Sequence, residues 1–478
     1  MGVARLDRGS VFSIGLFLLF ALAGCVTAKG GGPGSFSVED IGNRGRISFF
    51  LNLRDVDGPD LVMRIGALVL RSEEGGEVIR DLNNISLSSS EIAGGQKFLT
   101  RMAVPPGKYT AVRLVITQGG AVRNGNEQLL PLRETEKILE LRSPVDVSAG
   151  DSSSLFLTWD TKGSLAEKQF VPAVSLAPGV KKLVADVAFV ACPEIDTIFM
   201  ISTEKNRVVD SLGIPGSPSH VFSSNDRRSD EVLALAEDDL KLYAFSASSN
   251  RITERYNLTT LNNPFHAAFT PDGRWGYFLD RQPGTVSRMD MGSGSIDRQV
   301  QLDYDPTYII YIEKYNMIAV SVGISQNVVL LNGDTLETVG TLSTGTGPEG
   351  LRFVEDRYLY VAESGANSIM IYDLEANTLV RRVNVGFRPA RILATSYFIY
   401  VANAGEGSLS VLRAGSLTPY RTVSLPGPPT ELAVAAKFNS LYVGNREGRS
   451  LTVVDALTNE IKGEVELGAI PEGILIVQ

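Results

Sequence analysis

Two histidines stand in this 478-residue chain, His220 and His266, and they are the side chains best suited to titrate or to ligate a metal near neutral pH. Each lies two residues after a proline, Pro218 and Pro264. The same offset from later prolines picks out Tyr308, Gly350, Arg391, Glu431 and Gly473. If the prolines mark one repeating unit, then His220, His266, Tyr308, Arg391 and Glu431 converge on one place. Two imidazoles and a carboxylate could bind zinc or another divalent ion, the arrangement a metal-dependent lactonase or lyase would use. The same set could instead take a small ligand or a peptide, or form a polar rim around water. Glu431 would lie two units from His220, and Arg391 would repel a cation. No metal site and no cofactor are therefore assigned.

The prolines do recur. Pro218, Pro264, Pro306, Pro348, Pro389, Pro429 and Pro471 are separated by 46, 42, 42, 41, 40 and 42 residues. Within each unit four short apolar runs alternate with turns rich in Asn, Asp and Gly, the residues that tolerate tight hairpins. Four strands in about 40–45 residues is the size of a propeller blade. One blade cannot bury both of its faces, so the ring must close. Six proline-to-proline steps give six blades. The piece after Pro471 has room for one strand, over residues 472–477, and residues 181–218 for three. Together they make a seventh blade, with the last strand closing the first sheet. The histidine positions then begin the innermost strands, at one mouth of the central channel.

Several of these units carry a further likeness. Tyr400-Val401-Ala402-Asn403, Tyr442-Val443-Gly444-Asn445 and Tyr360-Val361-Ala362-Glu363 resemble the Tyr-Val-x-Asn signature of the YVTN family of bacterial and archaeal propellers. The similarity extends to Tyr372-Asp373, Val454-Asp455 and the Gly-x-x-Pro turns ending at Pro389 and Pro471. It is strong over residues 340–478 and fades to spacing alone over 218–340. It implies architecture more than activity. Asp373 and Asp455 read as turn caps. Asn403 and Asn445 are expected to bond neighbouring loops, and Tyr360, Tyr400 and Tyr442 to pack between blades.

The first residues point to export. Arg5 and Arg8 precede an uncharged run over residues 11–23, the length of a signal core and too short to span a bilayer comfortably. It ends in Leu22-Ala23-Gly24-Cys25, which resembles the bacterial lipoprotein box, in which the cysteine is acylated. The resemblance implies a signal peptide over 1–24, a lipid on Cys25 and, because residue 26 is Val, sorting to the outer membrane, facing periplasm or exterior. A Gly- and Pro-rich stretch over 25–38 would be a flexible tether. Cys192 is then the single remaining thiol, expected to act as a small buried hydrophobe.

Residues 39–178 read as mostly β, with seven or so strands at residues 46–53, 61–70, 109–117, 155–160, 170–176 and elsewhere, which suggests a two-sheet sandwich. Residues 82–92 and 134–139 could hold a turn of helix at most. The Val104-Pro105-Pro106-Gly107-Lys108-Tyr109 turn and the Phe156-Leu157-Thr158-Trp159-Asp160 strand resemble an uncharacterised domain of bacterial secreted lipoproteins. The expected fold class is thus all-β: an N-terminal β-sandwich, then a seven-bladed β-propeller over 181–478.

Other chemistries find little support. Net charge is −9 and no basic patch is seen, so nucleic acid is not an expected partner. Two cysteines exclude a disulfide scaffold and a Cys-x-x-Cys-His haem attachment. Neither a serine elbow nor a phosphate-binding Gly-rich loop occurs. The reading that follows is a non-catalytic envelope lipoprotein that binds an envelope protein or glycan through the propeller face, as a monomer or within a hetero-assembly. A channel-mouth enzyme and a structural subunit of a cell-surface assembly are the alternatives.

Overall fold

The computed structural model describes residues 43–180, 186–223, 230–282, 284–303 and 305–477. The expected signal peptide (1–24), tether (25–38) and Cys25 lie outside the described residues, as do the first residues expected for the propeller. Strand is the dominant element among the described residues, and no helix among them is long and apolar enough to cross a membrane.

The proline repeat folds as its spacing demands. Six four-stranded antiparallel sheets begin with the strands Pro218–Ser223, Pro264–Phe269, Pro306–Ile312, Pro348–Val354, Pro389–Ala394 and Pro429–Ala435. A seventh sheet is composite. Val187–Cys192, Thr197–Ser202 and Arg207–Gly213 supply three strands, and Gly473–Val477 pairs antiparallel with Val187–Cys192 to supply the fourth. The first strand of each sheet touches the first strand of the next, and Gly473–Val477 touches both the Pro429 and the Pro218 strand. The ring therefore closes on itself, and the edge of Val187–Cys192 that would otherwise be open is paired by Gly473–Val477.

Hydrophobic clusters lie between successive sheets, as expected when each sheet must bury both faces against neighbours. One cluster joins Leu393, Tyr400 and Val411 to Leu441, Val443 and Val454; another joins Val187, Phe189 and Met200 to Val232, Tyr243 and Phe245. The tyrosines expected to pack between sheets do so and also bond across. Tyr400 donates toward Ala456 O, 3.0 Å away, and Tyr442 toward Thr203 O, 3.3 Å away, in the following sheet. The second of these spans the closing seam. Asp373 and Asp455 cap their own hairpins, each accepting two backbone N–H groups. The asparagines do otherwise than expected. Asn403 Nδ2 donates to Ser408 and Ser410, and Asn445 Nδ2 to Thr452, on the adjacent strand of the same sheet. Each is fully buried beside a hydroxyl-bearing strand, so the hydroxyls are the nearest partners.

Ahead of the ring, two sheets share one core. One sheet runs Val174–Pro178, Ser152–Trp159, Gly45–Leu53, Lys97–Val104; the other is built on Leu61–Ser72 and the seventeen-residue Gly107–Arg123. Ile47, Phe49 and Leu51 from the first meet Met63, Leu68, Val112 and Leu114 from the second. The region holds eleven strands among the described residues, more than the sequence suggested. The run over 170–176 is not one strand: Gln169–Phe170 and Val174–Pro178 pair with different partners. Pro172, without an N–H, stands at the break. The one helix, Ser89–Ile92, is a single turn.

This two-sheet region is fastened to the composite sheet. Phe50 has no solvent exposure; it packs on Phe98, Phe156 and the ring residue Phe199, with centroids 5.6, 5.6 and 6.1 Å away. Beside them, Arg101 donates to Ser48 Oγ and to the carbonyl of Leu467. The Gln96 amide bonds both the N–H and the C=O of Val208, at 3.0 and 3.1 Å, extending the outer strand of the sheet by a side chain. Lys97 and the Phe98 N–H hold the Glu466 carboxylate, and Arg46 pairs with Asp196.

Candidate functional site at the channel mouth

The repeat places its special position through one backbone device. Directly after the proline the register of the inner strand shifts, between Pro218 and His220, Pro264 and His266, Pro306 and Tyr308, and Pro389 and Arg391. A proline can open a strand but cannot donate to the ladder, and a bulge re-aims the side chain that follows it. The repeated side chain is thereby brought to the same level of each inner strand.

The side chains do meet. His220 and His266 lie edge-to-face with ring centroids 4.6 Å apart, and Tyr308 stands 4.3 Å from His266. The Arg391 guanidinium covers the Tyr308 ring at 5.0 Å. Its Nε donates to Glu431 at 3.1 Å, and Glu349 is 4.0 Å away. Glycine at the two remaining repeat positions shapes this grouping. A Cβ on Gly350 would fall 2.4 Å from the Ala390 carbonyl, and one on Gly473 would fall 2.6 Å from that of Ser219. Adjacent strands come too close there for a side chain. Around the ring, glycines thus divide a neutral His–His–Tyr arc from a charged Arg–Glu pair, and Arg391 spans the gap left at Gly350.

Electrostatics follow from this geometry. Burial, with the positive charges of Arg391 and Arg281, pushes His220 down to about 3. Burial, followed by His220 and Arg391, holds His266 well below the ordinary histidine range. Both imidazoles are therefore neutral at neutral pH. Burial, reinforced by Glu431, raises the Tyr308 hydroxyl to about 12. Burial alone would lower Arg391, but Glu431, Tyr308 and Glu349 outweigh it and hold it above its usual value.

The grouping of both histidines with Glu431 that the metal-dependent alternative would need is not built. Glu431 is taken up by Arg391 and by the Leu432 N–H at 2.8 Å. Among the described residues no cluster of three or more His, Cys, Asp or Glu side chains is arranged to hold a metal.

Below the mouth the axis opens into a cavity of about 690 Å³ that reaches from Tyr308 and Glu431 past Leu351 and Ile392 to Phe353 and Lys314. Sequence reasoning located its mouth but not its wall, because residues on inner strands read the same whether they face a neighbouring sheet or a void. It also missed Ser219. Its hydroxyl lies 3.1 Å from His220 Nδ1 and is within hydrogen-bonding reach of Glu237. No repeat marks these two residues as belonging to the site. Cys192 is fully buried, and burial raises its thiol far above the reactive range.

Comparison with solved structures gives the fold. A functionally unknown protein from Desulfotomaculum acetoxidans DSM 771 superposes with a TM-score of 0.54 and 16% identity, over 61% of this chain and 99% of its own. The WD40 repeats of RRP9 give 0.49 at 11% identity, over 60% of this chain and 88% of theirs. A dihydro-heme d1 dehydrogenase, NirN, gives 0.47 at 14% identity, over 59% of this chain and 63% of its own. No protein-family model matches the chain, and the search of curated proteins finds no match. The ring of four-stranded sheets is a β-propeller.

Proposed function

We propose that this chain is a binding or scaffolding lipoprotein of a bacterial envelope: a seven-bladed propeller of the YVTN type behind an N-terminal β-sandwich, held to the outer membrane through a lipid on Cys25. The observation that carries the binding role is the axial cavity of about 690 Å³, lined by both apolar and charged side chains beneath a mouth of convergent polar and aromatic groups. A preformed concavity with few, well-placed polar groups is the usual form of a recognition site. The fastening of the two-sheet region to the composite blade suits a scaffold, since a partner held at the propeller is then held at a fixed distance from the two-sheet region.

The test is in two parts. Cys25→Ser should release the chain from the membrane fraction; retention in that fraction removes the anchor. Ile310→Trp, which fills the cavity, should abolish cross-linking to the envelope component that the wild-type chain captures. Equal capture by the filled variant would overturn the cavity as the recognition site.

A further inference from the structure

The histidine pair carries an inference of its own, independent of what the propeller binds. Its two rings contribute nitrogens that the protein leaves unused. His266 is 6% exposed, and its Nδ1 meets no hydrogen-bonding partner of proper geometry. A buried ring nitrogen left open calls for an explanation, because burying a polar atom without a partner is costly. His220 uses Nδ1 on Ser219, which leaves Nε2 without a hydrogen-bonding partner among the described residues. In the tautomer that donates Nδ1–H to the Ser219 hydroxyl, Nε2 carries the lone pair. Metal-binding histidines are oriented in this way, by a partner on the far nitrogen.

The spacing agrees. A metal about 2.0–2.1 Å from each imidazole nitrogen holds two ring centres roughly 4.5–5 Å apart, for ligand angles between a right angle and the tetrahedral value. The observed separation is 4.6 Å, with the rings 64° apart in plane. Of the two cations that act on the pair, Arg391 has its charge offset by Glu431 at 3.1 Å and Glu349 at 4.0 Å, and Arg281 lies over the Phe265 ring. The channel supplies water for the open positions.

We propose that His220 and His266 form a two-imidazole transition-metal site at the channel mouth, with Tyr308 alongside and solvent completing the coordination. Imidazole donors suit copper and zinc, and the Irving–Williams order places Cu²⁺ above Zn²⁺. The carboxylate weighed for such a site in the sequence, Glu431, is not a ligand here. Glu431 instead offsets the arginine that would otherwise repel the ion.

The sequence makes the test direct, because the whole chain contains two histidines. Untagged full-length protein, stripped with chelator, is titrated with Zn²⁺ while the two imidazoles are followed by histidine-selective NMR. Cu²⁺ binding is followed in parallel by competition with Zn²⁺. The expected result is one ion per chain, both rings shifting in the same step, and Cu²⁺ displacing Zn²⁺. His220→Gln and His266→Gln should each weaken Zn²⁺ binding at least tenfold while retaining the wild-type circular dichroism spectrum. If either variant misfolds, the wild-type NMR titration decides alone. Rings unmoved at one equivalent, one ring moving without the other, or equal stoichiometry in a folded double variant would each overturn the site.

Discussion

Two of the arginines that lie over aromatic rings, Arg101 and Arg391, are held in opposite ways. Arg101, at the joint between the two-sheet region and the propeller, lies over Phe98 and Phe199 and bonds to Ser48 and to the Leu467 carbonyl. Its hydrogen bonds go to neutral groups, and burial lowers its guanidinium to about 10. Arg391, at the channel mouth, lies over Tyr308 but carries its own carboxylates, and they hold it above its usual value. At the joint the cation is solvated by fixed neutral dipoles, with aromatic faces to shield it. At the mouth the charge is offset, while the neighbouring imidazole nitrogens are left open. The contrast separates a surface built to stay shut from one built with spare valences.

The sharpest way to break this contrast is at the joint. Phe50→Ala removes a fully buried ring that bridges both regions and should cost about 3–5 kcal/mol in denaturant unfolding. A cost below about 1 kcal/mol would mean that the joint is not a packed core. Replacing each arginine with methionine then probes the difference itself. Arg101→Met leaves the Leu467 carbonyl and Ser48 hydroxyl short of a donor, for a loss of roughly 1–3 kcal/mol that should not vary with pH across the carboxylate range. Arg391→Met strands Glu431, whose carboxyl burial already raises and Arg391 lowers. In that variant Glu431 titrates higher folded than unfolded, so stability is greatest below about pH 4.3 and is lost as pH rises through the folded value. A pH-independent loss at position 391 would erase the distinction.

Much of the propeller could be read from seven prolines. Their spacing encodes a hydrogen-bonding fact, the start of an inner strand with no N–H to offer, and that fact repeats in every sheet. The histidines, Tyr308, Arg391 and Glu431 were legible for the same reason. How they pair was not, since it depends on where glycine is forced. Gly350 and Gly473 are dictated by the approach of Ala390 and Ser219 from neighbouring strands, which no local pattern reports. The joint was illegible for a different reason. Phe50 and Arg101 alternate along ordinary-looking strands, and their partners come from far along the chain, as with Lys97 and Glu466. Hydrophobic alternation tells which face of a strand is covered, not that both faces of Gly45–Leu53 are.

Smaller effects sharpen the picture. Tyr442→Phe and Tyr400→Phe remove the same cross-blade hydrogen bond, one at the closing seam and one at an ordinary junction. Each should cost about 1 kcal/mol. A clearly larger loss at Tyr442 would show that the seam is the weak junction of the ring. Least in size is the acid response of the mouth. His220 titrates near 3 when folded and about 6.5 when unfolded. Its contribution is therefore intact above about pH 6.5 and lost as the pH falls toward the folded value. Melting temperature against pH for His220→Gln should show a shallower acid decline than for the wild type, and an unchanged decline would place the loss elsewhere.

The strand Gly473–Val477 completes a sheet whose other strands begin at Val187, almost the full circumference earlier in the chain. A growing polypeptide must hold that first edge open until Gly473–Val477 has emerged. Pairing over so long a separation is slow. Throughout the wait the bare Val187–Cys192 edge is a template for another chain. The clasp that makes the finished ring durable thus leaves its precursor exposed for longest, and a chaperone acting on this protein would have most to gain by covering that one edge.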